Sequence, residues 1–173
     1  AADAGIKRKM VQAEQMAHEL KLPIIKMIDG TGGGGSVKTL EMIGATYIPA
    51  VPGWGDTVKN LDTVPVVALA LGPTAGLGAA RVAASHYSIM VRGLSQIFAA
   101  GPAVVDGLGE SYKGSTDHNQ AKEELGGSDI HTRNGVVDDE VASEAEAFAR
   151  ARHFLAFMPV SYTHLTLPTT PYV

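Results

Sequence analysis

An apolar strand, a glycine-rich turn and a helix follow one another twice in this chain, about forty residues apart, and no other feature limits the fold as strongly. The first copy is PIIKMID (23–29), β-branched and apolar, running into DGTGGGGSVKT (29–39), where five of the six residues from Gly30 to Gly35 are glycine. Consecutive glycines would each cost a helix or strand roughly 1 kcal/mol relative to alanine, so this run is read as a loop. A helix is expected from 36 to about 45, with Ser36 as its cap. The second copy is the strand VPVVALAL (64–71), the loop GPTAGLG (72–78) and a helix through AARVAAS, whose small residues let it lie close to a sheet. YSIMV (87–91) reads as the next buried strand. Buried strands alternating with helices are the pattern of an α/β fold.

Bare backbone between a strand and a helix suits phosphate, because the N–H groups at a helix start attract anions. Neither familiar phosphate pattern is met, however. Gly30, Gly32 and Gly35 fit G-x-G-x-x-G, but a dinucleotide fold needs an acid at the end of a second strand. Only Asp56 lies at the right distance, inside VPGWGDTVKNL, which reads as a loop entering a helix. A P-loop needs lysine directly after its last glycine, and here Ser36 and Val37 precede Lys38.

Elsewhere, Ile6, Met10, Ala13, Ala17 and Leu20 recur at helical spacing and predict an amphipathic helix over 4–21, with Lys7, Arg8 and Lys9 on a solvated face. A short helix is expected over 56–61 and an exposed polar loop over 110–120. A long helix is expected over 139–158, acidic at its start and basic later, as the helix dipole favours. The final SYTHLTLPTTPYV has no acid or base apart from His164 and continues no periodicity. Residues 160–173 are therefore set apart as a read-through or assembly artefact, leaving 1–159 as one partial domain.

Composition removes several functions. Lys plus Arg number 14 against 18 Asp plus Glu, so the basic footprint of a nucleic-acid binder is missing. The chain has no cysteine, which excludes disulfides, thiol nucleophiles and cysteine-ligated zinc. The six histidines show no H-x-x-H or H-x-x-x-H spacing, and no metal site is expected. The longest apolar run is far too short to cross a bilayer, and AADAGIKRK is not a secretory leader. A cytoplasmic protein is expected, whose true N-terminus precedes Ala1.

Put together in order, GPTAG from Gly72, SQIFAAGP from Ser95 and LGGSDIH from Leu125 resemble the carboxyltransferase (beta) subunits of biotin-dependent acyl-CoA carboxylases, of the propionyl-CoA and methylcrotonyl-CoA carboxylase type. The likeness runs from about residue 10 to 158 and covers the later part of the first, CoA-side domain. It implies a crotonase-like (ClpP/crotonase) α/β fold, a spiral of ββα units, incomplete here at its N-terminus. It also implies carboxyl transfer from carboxybiotin to the α-carbon of an acyl-CoA, with the enolate held by backbone oxyanion holes. Biotin would ride on a separate carrier protein. The partners would be that biotin carboxyl carrier protein, a biotin carboxylase subunit and further copies of the subunit in a homo-oligomer, with neither nucleic acid nor membrane. This chain alone would be inactive.

By the same resemblance the amides of Gly76 and Leu77 form the thioester oxyanion hole. The family usually has glycine at both positions, so Leu77 departs from the pattern: its side chain would narrow the acyl pocket, and a positive φ there would be strained. Thr31, Gly32 and Gly33 correspond to the family's S-G-G segment beside the CoA arm. Ala75 belongs to the G-P-x-A-G block, and Gly101 and Pro102 start a helix near the ligand. His131 is read as a hydrogen-bonded structural residue in preference to a general base, and Ser95 and Gln96 as satisfying buried backbone groups. Two alternatives stay open: the CoA-side subunit of a biotin-dependent acyl-CoA decarboxylase, and a non-catalytic crotonase-like packing module.

Overall fold

All five strands run parallel in a single sheet in the computed structural model, which describes residues 4–30, 41–42, 44, 53–99 and 123–158. Strands β1 (Ile24–Gly30), β2 (Val66–Ala75), β3 (Tyr87–Val91) and β5 (Asp139–Val141) lie side by side in that order. The short β4 (Gln96–Phe98) pairs with the last residues of β2. Among the described residues they are accompanied by the helices α1 (Ala4–Leu20), α2 (Trp54–Thr63), α3 (Leu77–Ala83), α4 (Ser128–Arg133) and α5 (Glu144–Ala156).

The unbroken apolar run of β2 follows from burial on both faces. On one face Val67, Leu69, Ile89, Val91 and Val141 pack against Ala147 and Ala151 of α5, and Tyr87 stacks on Phe154 with ring centroids 4.8 Å apart. On the other, Ala68, Ala70 and Met90 pack against Val82 of α3, Ile97 and Val137. Beyond the reach of α5, Ile25 and Met27 on β1 are 43% and 68% exposed.

Helices α1 and α2 are tied to β1 through Glu14. Its carboxylate lies 3.2 Å from Lys26 Nζ and accepts from Thr57 Oγ1 at 3.1 Å and Asn60 Nδ2 at 2.7 Å. Burial pulls the Lys26 ammonium below its ordinary range, and Glu14 opposes that shift. Gly53, at φ 80°, caps α2 in the left-handed region, where a Cβ would also stand 2.8 Å from Val11.

Two expectations are corrected. Residues 139–158 are not one helix: Asp139–Val141 pair with Ile89–Val91 as β5, and the helix starts only at Glu144, capped by Ser143. Residues 72–75 are not a loop either, because β2 continues to Ala75 and turns at Gly76. Of the helix expected over 36 to about 45, only 41–42 and 44 are described: 41–42 are helical, but Gly44 is a bend with φ 68°; the loop 110–120 and the tail 160–173 lie outside the described residues.

Candidate active site at the carboxyl end of the sheet

Parallel sheets bind ligands outside the carboxyl ends of their strands, and here three strand ends are brought together. The β1–β2 ladder is regular from Ile24↔Val66 to Ile28↔Ala70, then breaks: Gly30 pairs with Thr74, so Leu71, Gly72 and Pro73 stand opposite Asp29 alone. Proline is tolerated at such a bulge, where no ladder N–H is required. A Cβ at Gly72 would lie 2.2 Å from Asp29 Oδ1, so a side chain there would have to displace the Asp29 carboxylate. The bulge carries the end of β2 across to β4, in the register Pro73↔Gln96 to Ala75↔Phe98.

At the end of β2 the chain turns sharply into α3. Gly76 adopts φ 59°, ψ −117°, a conformation that side chains exclude. The positive φ falls on Gly76 and not on Leu77, so the strain expected at the leucine does not arise: Lys21 is the single positive-φ residue other than glycine among those described. The Leu77 side chain is 39% exposed. Gly78 completes the turn, since a Cβ there would stand 2.7 Å from Thr74 Cγ2 and 3.2 Å from the Gly30 carbonyl oxygen. The start of α3 therefore lies directly against the end of β1 at Gly30.

The expectation of two free amides is corrected at Gly76. Its N–H donates to the Phe98 carbonyl at 3.0 Å, extending the β2–β4 ladder by one bond. Among the described residues the Leu77 and Gly78 N–H groups have no acceptor, and the first bond within α3 runs from Ala80 N–H to the Gly76 carbonyl. Ala75 is half-buried beside the turn. Thr31, Gly32, Gly33, Gly101 and Pro102 lie outside the described residues.

Behind β4, the segment 123–133 acts as a clamp. His131 on α4 approaches the Ile97 carbonyl oxygen with Nε2 at 2.8 Å, so Nε2 carries the proton. Gly126 lies so close to β4 that a Cβ would come within 2.5 Å of both the Ile97 carbonyl oxygen and the Phe98 ring. The hydroxyl of Ser95 donates to the Val91 carbonyl and accepts from the Val91 N–H, as expected of a residue satisfying buried backbone. Gln96 differs: its amide donates to the Glu123 carboxylate.

The groups whose protonation the fold shifts stand elsewhere. Burial, then the hydrogen bond to Asp139, pushes the Tyr87 hydroxyl up to about 12. A hydrogen bond from Ser128 and then the Arg92 guanidinium pull Glu140 below the usual carboxylate range. The turn itself offers hydrogen-bond donors and a shaped backbone, which suit an oxygen that gains negative charge.

Residues 1–172 match the carboxyl transferase domain. The chain belongs to that family. As a carboxyl transferase domain it is 30% identical over 149 residues to the methylcrotonoyl-CoA carboxylase beta chain, mitochondrial, of Arabidopsis thaliana, covering 86% of this chain and 24% of the relative. It is 26% identical over 156 residues to the methylmalonyl-CoA decarboxylase subunit alpha of Veillonella parvula, covering 87% and 28%. The crystal structure of the geranyl-CoA carboxylase beta subunit of P. aeruginosa aligns with a TM-score of 0.70 at 22% identity, over 92% of this chain and 28% of that one. The expected crotonase-like α/β fold is therefore the fold of this domain. The chain spans about a quarter of the length of the curated relatives it matches.

Three features of this candidate site are not legible in the sequence: the Phe98 carbonyl as partner of Gly76, the close approach of Gly78 to β1, and that of Gly126 to β4. The spacing of SQIF and LGGSDIH marks both segments, but which atoms meet depends on pairing between residues far apart in the chain.

Proposed function

We propose that this domain holds the acyl-CoA in a biotin-dependent carboxyltransferase. The observation that carries the reading is the turn at Gly76, where the helix-start N–H of Leu77, without an acceptor among the described residues, lies at the carboxyl end of three parallel strands. The thioester oxygen is placed at this turn. Leu77 N–H serves as donor, and Gly76, anchored through Phe98, holds the turn in shape. When the α-proton leaves, negative charge develops on that oxygen, and a preorganised donor stabilises it by about 3 kcal/mol without reorganisation. Thr31, Gly32 and Gly33, which follow Gly30 in the sequence, are assigned to the CoA arm with Gly101 and Pro102, and Ala75 to the pocket wall. Carboxybiotin, brought by a carrier protein, supplies the carboxyl group and the base. Backbone donors alone fit this division of labour, since the chemistry at the turn asks for no side-chain acid.

On this reading the working enzyme needs a biotin carboxylase, a carrier protein and further copies of the subunit. Labelled bicarbonate should enter acyl-CoA only when the subunit carrying this domain is combined with carboxylase, carrier and ATP. Labelling without carboxylase or carrier would overturn the reading. The likeness to the Veillonella protein favours a second reading, in which the same turn holds the enolate formed by decarboxylation. Transfer of the carboxyl group of methylmalonyl-CoA to the biotin of the carrier, leaving propionyl-CoA, at a rate exceeding carboxylation of propionyl-CoA would select it.

A further inference from the structure

We infer that His131 is a positioning residue for the Gly76 turn. The inference rests on the reading of that turn as the oxyanion site. His131 touches the turn only through β4. Its Nε2–H donates to the Ile97 carbonyl at 2.8 Å, and the next carbonyl along the strand, that of Phe98, accepts the Gly76 N–H at 3.0 Å. Successive carbonyls on a strand point to opposite edges. The three residues of β4 are thus held from both sides, by β2 on one edge and by the imidazole on the other.

The rest of the α4 segment reinforces this hold. Gln96 bridges to Gly127, and Gly126 packs without a side chain against the Ile97 carbonyl and the Phe98 ring. The backbone of His131 is fixed in turn, because its carbonyl accepts from both Val136 N–H and Val137 N–H at 3.0 Å. A strand of three residues has little pairing of its own, so the bond from His131 decides how firmly the Phe98 carbonyl stands under Gly76. The imidazole is therefore neither a general base nor merely a core residue: its donor sets the orientation of the turn.

The test uses amide hydrogen exchange on the 173-residue chain by NMR. In His131→Leu, exchange at Gly76 should rise by at least about tenfold relative to Ile89 and Met90 on β3, as for loss of one supporting hydrogen bond. His131→Gln places an amide nitrogen near the Nε2 position and should restore most of the protection. Acceleration spread evenly over β3 and the turn would mean a general stabiliser and overturn the inference, as would unchanged Gly76 protection in a folded His131→Leu chain. If His131→Leu does not fold, His131→Asn, whose shorter amide stops short of the Nε2 position, takes its place and is read against β3 in the same way: selective loss at Gly76 supports the donor role, and unchanged protection there overturns it. Turnover of the assembled carboxylase separates the two claims. Selective exchange with lowered kcat at unchanged KM for acyl-CoA supports both, whereas selective exchange with normal kcat keeps the positioning role and removes the oxyanion site from this turn.

Discussion

Gly76 and Leu77 divide between them what a pair of glycines would share. Gly76 supplies a backbone angle closed to other residues and ties the turn to β4, while Leu77 supplies, on an ordinary helical backbone, an N–H with no acceptor among the described residues. Their substitutions should therefore differ. Gly76→Ala forces a Cβ into a left-handed conformation and displaces the donor, so turnover of the assembled enzyme should fall about a hundredfold, the usual effect of losing one oxyanion donor. Leu77→Gly keeps the N–H and should retain activity, with longer acyl-CoA thioesters becoming better substrates. Steady-state turnover on acetyl-, propionyl- and longer acyl-CoA, with folding followed by circular dichroism, reads both. A fully active Gly76→Ala enzyme or an inactive Leu77→Gly enzyme would move the oxyanion hole away from this turn.

At the scale of elements, α5 begins with a capping box. Ser143 Oγ accepts from Glu146 N–H at 3.3 Å, and the Glu146 carboxylate reaches back to the Ala142 N–H at 3.1 Å. Ser143→Ala should lower stability by about 1 kcal/mol, measured by urea denaturation, and leave the β3–β5 pairing intact. The S-x-x-E signal at this start is legible in the sequence, yet the helix begins at Glu144, five residues later than the expected 139. The acids of DDEV look like a favourable first helical turn, and their role as a strand depends on β3, about fifty residues away. β2 and β3 are legible because burial on both faces leaves long apolar runs. β4 is not, because three residues carry no period. At the site, the glycine turn can be read locally, but its ties to Phe98 and, through β4, to His131 arise from pairing distant in sequence.

Across the whole molecule, Glu140 links three parts of the sheet's carboxyl end. It stands in β5, pairs with Arg92 after β3, and accepts from Ser128 at the start of α4. Its folded pKa is depressed, so the unfolded chain binds more protons in the acid range. The stabilisation is complete above the ordinary glutamate value of about 4.3 and is lost as pH falls through the lower folded value. Arg92 is 71% exposed, so solvent screens this pair and the effect is modest. Thermal melts should show the native protein above Glu140→Gln at pH 7, with the gap narrowing as pH falls below the ordinary glutamate value. A gap that persists unchanged at pH 3 would assign the difference to packing.

The bulge between β1 and β2 also sets what lengths the site region can take. From Ile28 to Gly30 is two steps along β1, matched by four steps from Ala70 to Thr74 along β2, so the excess is even and Thr74 keeps the facing of Ala70. Removing Gly72 alone would reverse parity: Thr74, now buried, would exchange places with its neighbours, and the chain should fail to fold. Removing Gly72 and Pro73 together preserves facing and should fold, but it shortens β2 by roughly 7 Å and leaves the Gly76 turn short of β4. Length variation here is thus expected in pairs of residues, and a folded two-residue deletion without carboxyl transfer would separate the scaffold from the chemistry it positions.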